Sequence, residues 1–247
     1  GDGGYLDFWL RYLQGGELCR GDDCLRVPTW NHLWFLPYLW VYALIGIAVS
    51  ALSRRPPPAL DLPTWAWMLL PALPLALLGV FVMPHWPSTH DLVHDLYNHA
   101  QYALVFAIGW ASRTPLADGL WAAALRARWL LLALALLAWA LIAAYFQAYA
   151  GDQQPPALLR QFMRVLWALL SWWAIAAACG WAQQLMPRDR PWLRYLSGAV
   201  FCLYILHQSV IVVLTQWLAP LALPWGLEAL LLITLTFALP IAIFAAI

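Results

Sequence analysis

The stretch HDLVHDLYNHAQY, residues 90–102, places three histidines and two aspartates beside a strongly apolar run. On an α-helix, one polar arc would collect His90, Asp91, His94, Asp95 and Asn98. We therefore predict an amphipathic helix that lies at the outward-facing interface of the membrane and leads into the next span. Imidazole titrates near neutrality, and a neighbouring carboxylate changes its pKa. Such a surface is therefore able to accept and donate protons.

Three functions are open for this polar face. His90 and His94 are four residues apart, a spacing that can place two imidazoles on one metal ion, but no third ligand is fixed and no Glu follows the first His. We therefore predict no metal site. The face is either simply solvated, or it forms an outer substrate site that uses His94 and Asp95.

His99 points away from this arc, toward the face that becomes buried as the helix enters the membrane. A buried polar side chain within a helical bundle needs partners and is a candidate functional residue. His207, in the motif YILHQS, lies near the middle of another apolar run and shares a helical face with Tyr204, Gln208 and Thr215. His99 and His207 are the candidate catalytic residues, and a purely structural role is open for both.

Polar and aromatic residues also collect at the predicted outer rim. The motif WNHLWFL supplies Trp30, His32 and Trp34, and later runs add Tyr145, Gln147, Tyr149, Asp152, Arg160 and Arg164. Aromatic rings with guanidinium and amide donors suit a sugar, although an ordinary interfacial aromatic belt explains part of the set. The predicted substrate-binding residues are His32, Trp34, His94, Asp95, Tyr204, Gln208, Arg160 and Arg164.

Composition fixes the broad class of protein. Of 247 residues, 64% are hydrophobic and only 10% are charged, which is too little charge to cover a soluble domain. We predict an all-α, polytopic transmembrane helical bundle with the lipid bilayer as its environment. The net charge of +1 provides no basic field for nucleic acid, so no nucleic-acid partner is expected.

Seven apolar runs approach the length of about 20 residues that a membrane-spanning helix needs. They are Leu33 to Leu52, Thr64 to Pro84, Tyr97 to Ser112, Trp129 to Tyr149, Val165 to Leu185, Tyr195 to Leu218 and Gly226 to Ile247. Residues 1–32 form a predicted outward-facing polar segment, and residues 33–247 form the transmembrane domain. Prolines inside the spans are tolerated where neighbouring helices satisfy the freed carbonyls.

Arginine placement predicts the orientation. The connections 53–63, 113–128 and 186–194 hold Arg54, Arg55, Arg113, Arg126, Arg128, Arg188, Arg190 and Arg194, so we assign them to the cytoplasm. The N-terminal segment then faces an oxidising compartment, where Cys19 and Cys24 are able to form a disulfide. Because no signal peptide precedes Gly1, the sequence is expected to begin inside a longer chain.

Three motifs in order, HLWFLPYLWVYAL at 32–44, HAQYALVFAIGW at 99–110 and FCLYILHQSVIVVL at 201–214, resemble the acyltransferase 3 family of integral membrane acyltransferases. The nearest type is the one that modifies periplasmic glucans, in the bacterial inner membrane. The resemblance runs from residue 32 onward and implies about ten spans in the full protein. It also implies transfer of an acyl group from cytoplasmic acyl-CoA, a co-substrate rather than a bound cofactor, to a hydroxyl of a periplasmic or membrane-bound glycan acceptor.

The resemblance carries only Trp34 and His207 over as matching positions. The family's best-marked histidine and an arginine motif belong to spans that precede this sequence, so His99 and His207 are expected to assist rather than to act as the principal base. A transporter or flippase for a glycan or lipid-linked substrate is the alternative function, because prolines interrupt the spans and polar residues lie at mid-membrane depth. A haem protein with His99 and His207 as axial ligands is a third hypothesis.

Overall fold

A computed structural model describes residues 5–14, 16–20, 23–27, 31–52, 58–90, 92–151, 153–186 and 190–247. Several residues singled out above lie outside these ranges: Trp30, Arg54, Arg55, Asp91, Asp152 and Arg188. The described chain is almost entirely helical, and its helices pack as a bundle. The prediction of an all-α, polytopic architecture is therefore confirmed.

The N-terminal part forms a small unit. Helix α1 covers Tyr5–Gln14, and an Arg11 to Asp7 ion pair at 2.8 Å joins two of its successive turns. Strands β1, Gly16–Arg20, and β2, Asp23–Val27, pair antiparallel with Cys19 opposite Cys24. These cysteines form the predicted disulfide. This β-hairpin was not predicted from the sequence, which indicated helices only.

The remaining chain is a series of helices joined by short connections. After a 3₁₀ turn at Asn31–Leu33, the helices are α2 Phe35–Leu52, α3 Thr64–Leu69, α4 Ala72–Leu77, α5 Leu96–Ala111, α6 Asp118–Ala148, α7 Ala157–Leu185, α8 Pro191–Leu218 and α9 Trp225–Ala246. A π-helical segment, Leu78–Val82, continues α4. Within the described ranges, six stretches are long and apolar enough to cross a membrane.

The third predicted span, Tyr97 to Ser112, corresponds to α5, which is shorter than the predicted helix. Helix α5 has 16 residues and therefore a length of about 24 Å, less than the roughly 30 Å of a hydrocarbon core. We expected residues 90–96 to extend it as an amphipathic helix, and this expectation is wrong. The residues before Leu96 form a loop in which His90 and Leu92 have left-handed backbone conformations.

Other helices are longer than the apolar runs alone indicated. Helix α6 begins at Asp118 rather than Trp129, so Arg126 and Arg128 lie inside a helix and not in a connection. Arg126 Nη1 donates to Thr64 Oγ1 at 3.2 Å, which brings the starts of α3 and α6 to one end of the bundle. This agrees with grouping the connections 53–63 and 113–128 on one side. Which side faces the cytoplasm stays a prediction.

The core lies between α6 and α7. Small residues on both helices allow close approach, among them Ala135 and Ala138 on α6 and Ala176 and Ala177 on α7. Gly180 of α7 is so close to α6 that an added Cβ would clash with the carbonyl oxygen of Ala124. The two helices therefore form a rigid pair against which α3 and α4 pack.

Two tryptophans of α7 satisfy backbone groups that prolines release. Pro71 cannot donate to the carbonyl of Trp67, four residues earlier, and the helix breaks between α3 and α4. Trp172 Nε1 donates to the Trp67 carbonyl at 3.0 Å, and Trp173 Nε1 donates to the Met68 carbonyl at 3.1 Å. A neighbouring helix thus provides the donors that the broken helix lacks, as predicted for proline-containing spans.

We predict that Trp172→Phe destabilises the protein by about 1–3 kcal/mol, because it leaves a buried carbonyl without a donor while keeping most of the ring. Thermal unfolding of the purified protein in detergent measures this loss. Trp139→Phe, at a position on α6 that is 62% exposed, is the matched control and should change little. Equal losses in the two variants would contradict the proposed role of the indole N–H.

Candidate active site

A buried carboxylate organises the connection between α2 and α5. Asp95 is fully buried. Its carboxylate accepts hydrogen bonds from the Tyr38 hydroxyl, from Asn98 Nδ2 at 2.8 Å, and from the backbone N–H groups of Thr89 and His90, both at 3.0 Å. One side chain therefore holds helix α2, the loop before α5, and the first turn of α5 together.

The loop adopts an uncommon backbone to reach this carboxylate. His90 has φ of 59° and Leu92 has φ of 67°, a left-handed conformation that costs non-glycine residues roughly 1–3 kcal/mol each. In return, the His90 N–H reaches Asp95 and the Leu92 N–H donates to the Tyr38 hydroxyl at 2.9 Å. Since His90 does not lie on a helix with His94, the premise of two metal-binding imidazoles on one face is wrong.

The same contacts set the charge of Asp95. Burial raises the pKa of this carboxyl group, but the hydrogen bonds from Tyr38, the Thr89 N–H, Asn98 and the His90 N–H together outweigh burial and hold its pKa below the usual value. Asp95 is therefore ionised at neutral pH. A carboxylate with this many donors is an anchor for structure rather than a free base.

His99 is fixed on both sides of its ring. Its Nε2 donates to the Leu92 carbonyl at 2.6 Å, so Nδ1 of the neutral ring accepts from the Tyr42 hydroxyl at 3.0 Å. The ring also stacks on Tyr38, with centroids 4.8 Å apart. Both nitrogens are occupied, which suits a residue that positions α5 against α2 better than one that accepts a proton from substrate.

Aromatic rings cover the outside of this network. The Trp34 ring lies 4.2 Å from the His90 ring and 5.4 Å from the Tyr102 ring, between centroids. His94, in contrast, is exposed, and its backbone carbonyl accepts from the Thr89 hydroxyl at 3.3 Å. The structure thus brings Trp34 and Asp95 together, whereas His94 lies on the surface of the loop.

A second cluster surrounds the middle of α8. The Tyr204 hydroxyl donates to the His32 carbonyl at 2.6 Å, and His32 Nε2 donates to the Ile205 carbonyl at 3.1 Å. The His32 and His207 rings meet edge to face, with centroids 5.3 Å apart. The 3₁₀ turn before α2 is therefore docked on α8, and it brings three predicted site residues into contact.

His207 differs from His99 because one ring nitrogen is available. Its Nδ1 lies 2.7 Å from the Tyr204 carbonyl and 3.2 Å from the Leu203 carbonyl, so Nδ1 carries the proton. Nε2 of the neutral ring then holds a lone pair, and no described residue donates a hydrogen bond to it. This arrangement fixes both the tautomer and the direction of a candidate base.

His207 lines a groove between α8 and α9, which we call the α8–α9 groove. Its volume is about 440 Å³, and its walls are Leu203, Tyr204, His207, Ile211, Leu232, Ile233, Thr236 and Phe237. Thr236 is only 7% exposed, and its hydroxyl has no hydrogen-bond partner in the described structure. The surface that these side chains present to the groove is apolar, so the groove is suited to the hydrocarbon chain of a ligand.

The model of the acyltransferase 3 family, described as an acyltransferase domain, matches residues 4–245. The chain belongs to this family. It matches none of the curated proteins and none of the solved structures. The family match begins before the motifs noted in the sequence, so it also takes in α1 and the β-hairpin.

This acyltransferase is a multi-pass membrane enzyme, and its chemistry requires a base and an oxyanion donor. Acyl transfer to a hydroxyl needs a group that removes the hydroxyl proton and a donor that stabilises the negative charge on the carbonyl oxygen. In the described part of the acyltransferase, His207 and Thr236 both line the α8–α9 groove and are the candidates for these two roles. The division into an outer segment, 1–32, and a transmembrane domain, 33–247, stays a prediction.

The remaining predicted residues lie apart from both clusters. Gln208 is exposed on α8, and the Thr215 hydroxyl donates to the Ile211 carbonyl of its own helix, so the predicted polar stripe does not continue beyond His207. Arg160 and Arg164 lie at the start of α7 and line a different cavity. The site residues predicted from the sequence therefore separate into those around Asp95, those around His207, and the two arginines of α7.

Sequence reasoning missed three residues of these clusters. Tyr38 and Tyr42 carry the Asp95 and His99 contacts, and their spacing of four along an apolar helix is a signal that could have found them. Thr236 gave no such signal, because a threonine in an apolar span usually bonds its own backbone. Only the three-dimensional structure shows that its hydroxyl is unpaired.

We predict that Asp95→Asn destabilises the acyltransferase at pH 7 by about 3 kcal/mol or more, because at least one donor then faces an amide N–H and the charge-assisted bonds are lost. Since the pKa of Asp95 is lowered in the fold, its contribution is present above the usual Asp value and is lost as pH falls through the lowered one. The wild-type advantage in thermal unfolding should therefore shrink below about pH 4.

Asp61→Asn is the matched control for this variant, because Asp61 is exposed in the connection before α3. It should unfold like the wild type at every pH. A wild-type advantage over Asp95→Asn that stays constant down to pH 2 would show that the ionised carboxylate is not what holds the loop.

Proposed function

We propose that this acyltransferase moves an acyl group from a cytoplasmic acyl-CoA-type donor to a hydroxyl of a periplasmic or membrane-bound glycan, in the bacterial inner membrane. The observation that carries the proposal is the His207 imidazole beside the α8–α9 groove: its Nδ1–H is held by backbone carbonyls, and no described residue donates a hydrogen bond to its Nε2. No bound cofactor is needed, because the thioester supplies the activated acyl group.

The depth of His207 fits a reaction between substrates that arrive from opposite sides. His207 is the seventeenth of the 28 residues of α8, about 24 Å along the helix from Pro191. A donor that enters from one end of α8 and an acceptor that enters from the other would meet near this position. The groove provides apolar walls for an acyl chain at the same depth.

The proposed step is a single exchange at the thioester carbonyl. His207 Nε2 takes the proton from the acceptor hydroxyl as its oxygen forms a bond to the carbonyl carbon. The carbon–sulfur bond then breaks, and the thiolate leaves with the proton returned by the imidazolium of His207. The products are an ester on the acceptor and the free thiol of the donor, and His207 is neutral again.

We infer that Thr236, whose buried hydroxyl has no hydrogen-bond partner in the described structure, donates to the carbonyl oxygen when substrate is bound. The other hydroxyl of the groove, on Tyr204, already donates to the His32 carbonyl, whereas the Thr236 hydroxyl is unpaired among the described atoms. Preorganised donors of this kind stabilise the charge that develops on the oxygen as the bond forms. His32 and Tyr204 are positioning residues, since they dock the turn before α2 on α8 beside His207.

We predict that His207→Gln lowers kcat/KM for transfer of labelled acyl groups from acyl-CoA to the glycan by about 10²- to 10⁴-fold, because glutamine cannot accept the proton. His85→Gln makes the same change at an exposed histidine outside the groove and should leave activity unchanged. Activity of His207→Gln within tenfold of the wild type would exclude His207 as the base.

We predict opposite effects of Thr236→Val on stability and on activity. Removal of an unpaired buried hydroxyl should stabilise the protein by about 1 kcal/mol, whereas loss of an oxyanion donor should lower kcat by about 10²- to 10³-fold. Thr215→Val is the control, because the Thr215 hydroxyl bonds its own helix and is exposed. Full activity of Thr236→Val, measured together with its unfolding temperature, would contradict a role for this hydroxyl.

A further inference from the structure

A second cavity lies between α5, the segment that continues α4, and helices α6 and α7. Its volume is about 410 Å³. We call it the arginine cleft, and its polar wall consists of Tyr97, Gln101, Tyr145, Arg160 and Arg164. The α8–α9 groove shares no residue with it, so the two cavities are distinct sites.

The cleft is polar at one end and apolar farther in. On α7 its lining begins with Arg160 and Arg164 and continues to Ser171 and Ile175, which lie seven and eleven residues beyond Arg164 and so about 10–16 Å deeper along the helix. On α5 the lining changes in the same direction, from Tyr97 to Val105. The cavity therefore matches a ligand with a polar head and an apolar chain.

The two arginines are electrostatically unbalanced. They are four residues apart on one helical face, where like charges repel. Arg160 also lies at the end of the first turn of α7, where the positive end of the helix dipole disfavours cations, and this turn has no acidic residue. Across the described ranges, the only ion pair is Arg11 with Asp7. Arg160 and Arg164 contact only glutamine oxygens, at 3.5 Å and 3.3 Å.

An anion between these side chains would remove the repulsion. The guanidinium fork binds phosphate through paired hydrogen bonds, and the neighbouring Tyr97 and Gln101 can add neutral donors. The apolar depth requires that the anion carry a hydrocarbon chain. A free sugar offers neither the charge nor the chain, so the chemistry of the cleft differs from that expected for an uncharged glycan.

We propose that the arginine cleft binds a membrane amphiphile with a phosphate headgroup, with the phosphate on Arg160 and Arg164 and the chain along α5 and α7. The site is a binding site in its own right and does not depend on the acyl transfer proposed above. It places a phosphate-bearing lipid beside the loop that Asp95 holds, since Tyr97 and Gln101 lie on the same helix as Asn98 and His99.

The test uses the purified chain in dodecyl maltoside micelles with three separate additions: dioleoyl phosphatidylglycerol, dioleoylglycerol or inorganic phosphate. Phosphatidylglycerol should raise the unfolding temperature and remain bound in native mass spectrometry, whereas the other two should do neither. Arg160→Gln/Arg164→Gln should weaken this binding by roughly tenfold or more, as expected for lost charge-assisted hydrogen bonds. Arg126→Gln/Arg194→Gln, at two exposed arginines elsewhere, should bind like the wild type.

A second variant tests the apolar part without changing charge. Ser171→Phe fills the depth of the cleft and should also abolish binding of phosphatidylglycerol, so a folding defect of the arginine variant cannot decide the result alone. His207→Gln should bind normally, which separates this site from the proposed reaction. An equal effect of inorganic phosphate or of dioleoylglycerol, or binding that survives both cleft variants, would overturn the proposal.

Discussion

Hydrocarbon offers no hydrogen bonds, so every polar group of this bundle that lies at membrane depth must find its partner within the protein. The structure meets this requirement in detail for its main elements. Trp172 and Trp173 donate to carbonyls at the proline break between α3 and α4, and His99 bonds through both ring nitrogens. Polar groups that are fully satisfied hold helices together and are therefore structural.

The same requirement makes the exceptions informative. The Nε2 atom of His207, the hydroxyl of Thr236, and the guanidinium groups of Arg160 and Arg164 lack strong partners within the described structure. Three further buried atoms, Trp67 Nε1, Arg128 Nε and Trp181 Nε1, also have no hydrogen-bond partner there, but they line neither cavity. The first two share one groove, and the arginines share another cleft. We propose that ligands complete the groups that line a cavity, a reacting thioester in the groove and a phosphate in the cleft.

Sequence reasoning reached the architecture because long apolar runs and proline positions determine which helices form and where they break. It also reached the Cys19–Cys24 disulfide. It included His32 among the candidate residues of the outer rim, but it did not predict which residues His32 contacts. It failed at residues 90–95, where helical periodicity suggested an amphipathic helix. There the carboxylate of Asp95 draws the preceding N–H groups into a left-handed loop, a long-range effect that depends on Tyr38, 57 residues away. Local pattern carries no information about such a partner.

The most direct measurement of where acyl transfer occurs is photolabelling with an acyl-CoA whose acyl chain carries a diazirine, followed by peptide mapping. If His207 and Thr236 face the reacting thioester, labelled peptides should come from Leu203 to Ile211 on α8 and from Leu232 to Phe237 on α9, and unlabelled acyl-CoA should compete. Competed label confined to α2 and α5, with none on α8 or α9, would contradict the assignment of the α8–α9 groove as the active site.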